Sequence, residues 1–484
     1  MRTKQREWLF VAACLLLGFL ANVSFLYGKI GISYLIFIAV FYTVLFVRFG
    51  FTFEHRRIGL LLMAGIWLLA GSFLFFDSTI FYVLNLLVIP AVVFFHIVLI
   101  TSPAKLNWGK LSFIRLVTGK LADALLYLTN YLRYIGRIVA RSRRRVKNRT
   151  LRQILIGILL AVPILVIVVP LLMAADAVFQ EQIENLFVFR IDVNFVEIGF
   201  RLAFTVIAAL FFFCIFQVIG KKTKREIEIC ETPNKRNWPG IVAATTLLIL
   251  NVVYMLFIAV QFQYFFHEGL LDGFTYADYA RRGFFELILV TLINWTILLV
   301  FMKRVKEEGG KQKRILQTLY SALIVASGIL LISAWQRLTL YETAYGFTID
   351  RLLAHYFMAF LLVIFAYTLI RVWLENLPIL HFYLICAFLF YAMLNAVNLE
   401  ETIVENNMER YKVTGKIDIH YFYTLGAEGV KGLVQLYEQE PEIPELKSLL
   451  IDKKIELENG EYESWQAFNF ARNEAKELLE ELEL

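Results

Sequence analysis

Charge is scarce in this chain. Asp, Glu, Lys and Arg make up 18% of it, against 59% hydrophobic residues, where a soluble domain is nearer half apolar. That argues against one large water-soluble core. Cysteine is down to four: Cys14, Cys214, Cys230 and Cys386. Three lie in apolar runs and one in a basic loop. No pair has C-x-x-C spacing, so neither a disulfide framework nor a zinc site is expected. The histidines (His55, His96, His267, His355, His381, His420) are scattered, and no metal or other cofactor is expected from their spacing. Catalytic signatures are missing too: there is no G-x-S-x-G, H-E-x-x-H or G-x-G-x-x-G. His267-Glu268 lacks a second His four residues on. Gly415-Lys416 has Arg410 where a P-loop needs its first Gly.

What the chain does have is long apolar runs. Eleven are candidates to cross a bilayer: 8–27, 30–47, 58–76, 79–100, 154–174, 198–219, 241–263, 284–301, 315–335, 352–372 and 378–397. About 20 apolar residues span the hydrocarbon core as a helix, and a helix satisfies its own backbone hydrogen bonds there. The expected fold is therefore an all-α polytopic membrane protein of about 11 transmembrane helices with a small helical C-terminal extramembrane domain. The first run follows Arg2, Lys4 and Arg6. At about 20 residues it is longer than a signal-peptide core of roughly 7–15, so it reads as a retained anchor.

Net charge is +7, and it hides two opposite parts. From Asn398 onward there are 9 basic and 20 acidic residues, and before it 39 basic and 21 acidic. In a soluble protein such a basic excess would suggest nucleic acid. Here the cations border apolar runs, which points to topology and anionic lipid, and no nucleic acid is expected. With the N-terminus inside, inner segments carry 32 Lys and Arg and outer loops carry seven. That bias sets the N-terminus in the cytoplasm. An odd number of spans then puts the acidic tail outside.

Four parts follow from this pattern. Residues 1–101 form an N-terminal block of four spans with minimal loops, and 102–152 a basic cytoplasmic linker. Residues 153–397 form a seven-span core, and 398–484 an acidic helical extracytoplasmic tail. In the linker, Leu121, Leu125, Leu128, Leu132, Ile135 and Val139 form a stripe, with Lys120, Arg133, Arg137 and Arg141 off it. Such a helix lies in the headgroup plane, and its cations attract anionic headgroups at the basic 105–152 segment. In the tail, Asp418 is expected to cap a short helix ending at Gly426. Helices are expected over 429–438, 443–451 and 464–482, with 471–484 frayed. The tail is a candidate surface for a protein partner.

Polar residues gather in three outer segments. The first, 274–286, carries Tyr276, Asp278, Tyr279, Arg281 and Arg282, with Thr275 and Asp278 at capping-box spacing and Arg282 and Glu286 four apart. The second, 335–351, carries Arg337, Tyr341, Glu342, Tyr345 and Arg351. Thr339 and Glu342 repeat the capping spacing, Gly346 ends the turn and Thr348 caps the next span. The third, 395–418, carries Asn406, Arg410, Tyr411, Lys416 and Asp418. Arginine grips carboxylate or phosphate in a bidentate way, so these fifteen residues form a candidate substrate site. Arg and Tyr at span ends are also ordinary interfacial anchors, the commoner role for any one of them. Within the spans, Glu197 and Arg201 are expected to pair. His96, Asn251, Glu286, Asn294, His355 and His381 are the other polar candidates. Pro163 and Pro170 offer a hinge in the fifth span. A proton path would want several acids at mid-depth, and Glu286 is shallow.

The motifs Tyr276-Ala-Asp-Tyr-Ala-Arg-Arg-Gly-Phe, Arg337-Leu-Thr-Leu-Tyr-Glu-Thr-Ala-Tyr-Gly-Phe-Thr and Asn406…Arg410-Tyr…Thr-Gly-Lys-Ile-Asp…Leu-Gly resemble those of the bacterial multi-pass proteins of domain-of-unknown-function family 4173, related to family 4153. The resemblance covers roughly 152–436. It implies a bacterial cytoplasmic membrane protein and no particular activity. Three functions remain open. One is a carrier or flippase-like protein for an anionic or lipid-linked envelope substrate, with Arg281, Arg282, Arg337 and Arg351 binding the anion. Another is a transferase on a lipid-linked donor, with Asp278, Glu342 and Asp418 as bases or metal ligands; the tiny first outer loop counts against it. The last is a non-catalytic sensor or scaffold.

Overall fold

Apolar runs separated by short polar loops fold as helices because only a helix pairs every backbone N–H and C=O within the run. The structure, a computed structural model, describes residues 2–50, 54–103, 106, 108–141, 195–220, 238–266, 284–305, 309–374, 377–458 and 464–482. The fifth apolar run and its prolines lie outside these. So do the end of the linker and Tyr276, Asp278, Tyr279, Arg281 and Arg282.

The other ten runs are all helical: α1 (Arg2–Leu26), α2 (Ile32–Phe49), α3 (Arg56–Phe75), α4 (Thr79–Thr101), then, after α5 (Leu111–Arg141), α6 (Phe195–Ile219), α7 (Gly240–Phe266), α8 (Phe284–Arg304), α9 (Lys311–Tyr345), α10 (Ile349–Trp373) and α11 (Ile379–Ala396). All ten are long and apolar enough to cross a membrane. Among the described residues there is no strand, only an isolated bridge between Trp238 and Val305. The protein is an all-α polytopic membrane protein.

Among the described residues, two large apolar clusters hold the spans. One gathers α1 to α4 and α6 around Leu17, Leu45, Ile66 and Phe216. The other gathers α7 to α10 around Leu247, Leu323, Leu330 and Met358. Within lipid there is little hydrophobic drive between helices, so packing and hydrogen bonds hold them. Asn22 donates to Arg201 O (2.6 Å) and Thr205 Oγ1 (2.9 Å), joining α1 to α6. Asn251 donates to Leu319 O, and Asn294 accepts from Tyr254 and donates to Ser327. Tyr42 and His96 meet at 2.8 Å. His96, Asn251 and Asn294 thus fasten helix to helix. Glu197 pairs with Arg201 as expected, and the Arg201 guanidinium lies over the Tyr27 ring. In α5, Leu121 and Leu125 of the expected stripe are exposed, as is Leu126, while Lys120 is buried.

The ninth helix departs from expectation. It runs 35 residues, well past the expected end near Trp335. Nothing between there and Gly346 breaks the backbone ladder, and the Thr339 hydroxyl bonds back to Trp335 O within it. Thr339 and Glu342 therefore sit inside a helix, and no capping box starts there. Gly346 does end it, at φ +88°. Thr348 occupies the next N-cap position without a side-chain bond.

The tail is a bundle of α12 (Leu399–Thr414), α13 (Ile419–Tyr423), α14 (Gly426–Gln439), α15 (Leu446–Glu458) and α16 (Phe470–Glu481), with a 3₁₀ turn at Trp465–Ala467. Leu433, Leu446, Leu450 and Ala475 fill its interior. The last helix is packed rather than frayed through Glu481. Ala471, Ala475 and Leu479, spaced four apart, bury one face, and Asn469 caps it by accepting from Arg472 N.

Candidate functional site

The tail sits across one end of the helices, held from two sides. On the first side the short loops leave main-chain groups for it to pair with. Phe468 O accepts from Ile32 N at 3.0 Å, closing the tail on the α1–α2 loop. Gly31 permits this approach: a Cβ there would fall 2.4 Å from Phe468 O. Asn469 donates to Phe73 O and Phe76 O, both at 2.9 Å. Arg472 donates to Asp77 (2.7 Å), Ala467 O (3.0 Å) and Ile30 O (3.3 Å).

On the second side the tail grips the α9–α10 turn. The Asn407 amide accepts from Phe347 N at 2.9 Å and donates to Phe347 O at 2.8 Å. Arg410 donates to Thr343 O, Ala344 O and Lys416 O, placing a cation on the carbonyl end of α9, where the helix dipole favours it. Tyr421 Oη accepts from Ile349 N at 2.7 Å. The far ends of the gripped helices carry Arg48, Arg56, Lys311 and Arg371.

The ten described candidates from the sequence lie at this end. Arg351 donates to Gly346 O and sits over the Tyr341 ring at 4.2 Å. Tyr345 stacks obliquely on Tyr341 and is exposed. Glu342 is buried and meets His355 at 3.2 Å. His355 also contacts Thr339 and the Trp335 ring. Arg337 is half-buried on the same helix. Asn406 donates to Thr402 O. Tyr411 donates to Glu440 at 2.6 Å, and that bond holds its phenol above the usual range. Asp418 caps α13 through Tyr421 N, as expected, and Lys416 is exposed on the loop before it. These side chains share one face, where Arg351, Asn406 and Arg410 bond backbone carbonyls and Glu342 and Tyr411 bond His355 and Glu440.

Open space at this face lies between the tail and the N-terminal helices. A cavity of ≈ 340 Å³ opens there, lined among others by Lys29, Asp77, Thr79, Val83, Lys453 and Glu456. Beside it a crevice of ≈ 20 Å³ lies among Ser72, Asp77, Asn85, Asn395, Glu400 and Arg472, enough for about one water. Asn85 ties its wall together, donating to Ser72 and Asn395 and accepting from Tyr391. Burial pushes the Glu400 carboxyl up. The nearby Asp77 and Glu428 add to this, and the Ser78 hydroxyl opposes it. Among the described residues, no three of His, Cys, Asp and Glu converge as a metal site.

Asp77, Asn85, Glu400, Lys453 and Arg472 were not among the residues singled out from the sequence. One cue was available: Asp77 is the sole Asp, Glu, Lys or Arg between Arg57 and Lys105. No curated protein and no solved structure matches the chain. A family model does, over residues 63–436, so the matched region starts inside the third span rather than near 152. It takes in Asp77 and Asn85 and stops before Arg472. The chain belongs to the DUF4153 family, a domain of unknown function.

Proposed function

We propose that this protein binds, and hands across or along the membrane, an anionic or lipid-linked envelope substrate at the face covered by its tail. The observation that carries the reading is the cavity of ≈ 340 Å³ between the tail and α4, with two lysines in its lining. Ligand sites are typically concave and about 300–1,000 Å³. Lys29 and Lys453 line this cavity, whereas Arg351 and Arg410, at the α9–α10 turn, serve backbone carbonyls. The transferase reading has less support: Glu342 is engaged with His355, and Asp418 caps a helix.

The remaining assignments belong to the same proposal. The protein sits in a bacterial cytoplasmic membrane, with its N-terminus in the cytoplasm and its tail outside. Kinship with family 4173 is part of this reading, supported by the three motifs. The basic linker lies on anionic headgroups; exposed Leu121 and Leu125 favour that. A scaffold is the second reading, favoured by Trp465 and Phe470 standing exposed on the tail.

The test is lipid and metabolite analysis of a gene-deletion strain, together with analysis of what co-purifies with the protein in mild detergent. A phosphate-bearing or lipid-linked species should accumulate in the strain and travel with the protein. An unchanged envelope and a ligand-free preparation would reject the reading.

A further inference from the structure

We propose that the cavity beside α4 takes the head of a lipid carrying both a phosphate and an ammonium group, its acyl chains lying along the lipid-facing flank of that helix. This rests on the reading above that the protein handles a lipid-linked substrate, and it names the headgroup class.

Charge balance comes first. The ionisable lining is Lys29 and Lys453 against Asp77 and Glu456, two of each sign. Each carboxylate already has a cation against it, Glu456 from Lys453 and Asp77 from Arg472, so the wall presents alternating charge rather than one sign. A head with both signs can face an opposite charge at each end. These side chains are also held in place. Lys453 is 9% exposed, bonds Glu456 at 2.6 Å and rests over the Tyr423 ring at 4.1 Å. Asp77 is fixed by Arg472. A pre-set arrangement of this kind loses little freedom when a ligand binds.

Helix polarity adds to the phosphate end. Ser78 and Thr79 line the cavity where α4 begins. The first N–H groups of a helix have no partner within it and carry partial positive charge.

Direction comes last. Thr79 and Val83 line the cavity, and Leu87 follows four residues on, on the same face of α4. Val83 is 58% exposed and Leu87 71%. The cavity thus continues into an exposed apolar track running along a membrane-length helix. A soluble phosphate compound would have no use for such a track, whereas an amphiphile fits it.

The experiment is native mass spectrometry of the full chain in detergent, with added phosphatidylethanolamine, phosphatidylglycerol and, as a soluble arm, glycerophosphoethanolamine. Phosphatidylethanolamine should be retained about fivefold or more over phosphatidylglycerol, a modest and measurable selectivity. Lys453→Gln should erase that preference. Val83→Trp, at a lipid-exposed position that leaves the core untouched, should cut lipid retention with an unchanged unfolding temperature.

Equal or greater retention of phosphatidylglycerol would overturn the headgroup assignment and leave the lipid-linked reading standing. Binding of glycerophosphoethanolamine without the lipid would overturn the acyl track. No retained species, with Val83→Trp indistinguishable from the parent, would overturn both this inference and the reading beneath it.

Discussion

Arg472 and Asp77, 395 residues apart in the chain, meet at 2.7 Å where the tail closes on the loop between α3 and α4. Both are well shielded, with side chains 7% and 19% exposed. Removing one partner of a buried pair strands the other charge at about 3–5 kcal/mol. Arg472→Gln should therefore release the tail and speed its proteolysis in detergent-solubilised protein. The double variant Arg472→Gln/Asp77→Asn should be less damaging than the two single effects summed, because it leaves no stranded charge. Additive losses would show that the pair does not couple.

The opposite grip depends on Asn407, whose amide makes both hydrogen bonds to Phe347. Asn407→Ala leaves a main-chain donor and acceptor unmatched, a loss of about 1–3 kcal/mol. Asn407→Asp keeps the acceptor and loses the donor, and should fall between. Thermal unfolding followed by tail proteolysis would rank the three proteins; an Asn407→Ala protein as resistant as its parent would refute the clamp.

The helices were legible because composition and run length determine them together: ten of the eleven apolar runs are described, and each is a helix. Helix ends were legible where one residue dictates the break. Gly346, at φ +88°, is such a case, and so is Asp418, whose short side chain reaches back to an N–H. Thr339 and Glu342 misled because capping-box spacing is a local pattern, while an uninterrupted backbone ladder decides where a helix starts. The site was less legible for a different reason. Arg472 and Lys453 look like ordinary surface cations of an acidic tail, and their partners Asp77 and Tyr423 lie far off or on another helix. Burial is a property of the packed whole, and no local spacing announces it.

Close approach at Gly31 gives a steric test of the same junction. A Cβ would lie 2.4 Å from Phe468 O and 2.6 Å from the Ala467 carbonyl carbon, so one backbone must move. Gly31→Val should cost about 1–3 kcal/mol, the usual range for overpacking. The loss should appear as tail release, with helix content by circular dichroism unchanged. A coordinate loss of helix and tail would instead place Gly31 in the folding core.

Glu400 predicts a pH effect. Its carboxyl is raised by burial, with Asp77 and Glu428 adding to the shift. The folded state therefore binds the proton more tightly than the unfolded state does. Between the two pKa values the native form holds more protons, so stability falls as pH rises through that window. The contribution is present below the ordinary carboxylate range and lost above the raised value. Glu400→Gln should remove this slope, leaving a protein relatively more stable than its parent at neutral pH. Melting curves across pH 4 to 8 would check it, and parallel profiles for the two proteins would refute it.

Sidedness can be tested with single cysteines in a background where Cys14, Cys214, Cys230 and Cys386 are replaced. The α9 helix has 35 residues, about 52 Å at 1.5 Å per residue, longer than a hydrocarbon core of about 30 Å. A helix of that length crossing the bilayer has its two ends in different compartments. Tyr345 is at the tail end and Lys311 at the other. Lys29 and Lys416 belong with Tyr345, because the loops carrying them are tied to the same tail. A membrane-impermeant maleimide added to intact cells should label Cys at 29, 345 and 416 and spare 304 and 311. Permeabilisation should then expose the last two. The reverse pattern would invert the protein in the membrane while keeping the shared face. Labelling of 29 and 416 from different sides would break the tail's double grip, and with it the cavity that Lys29 and the tail line together.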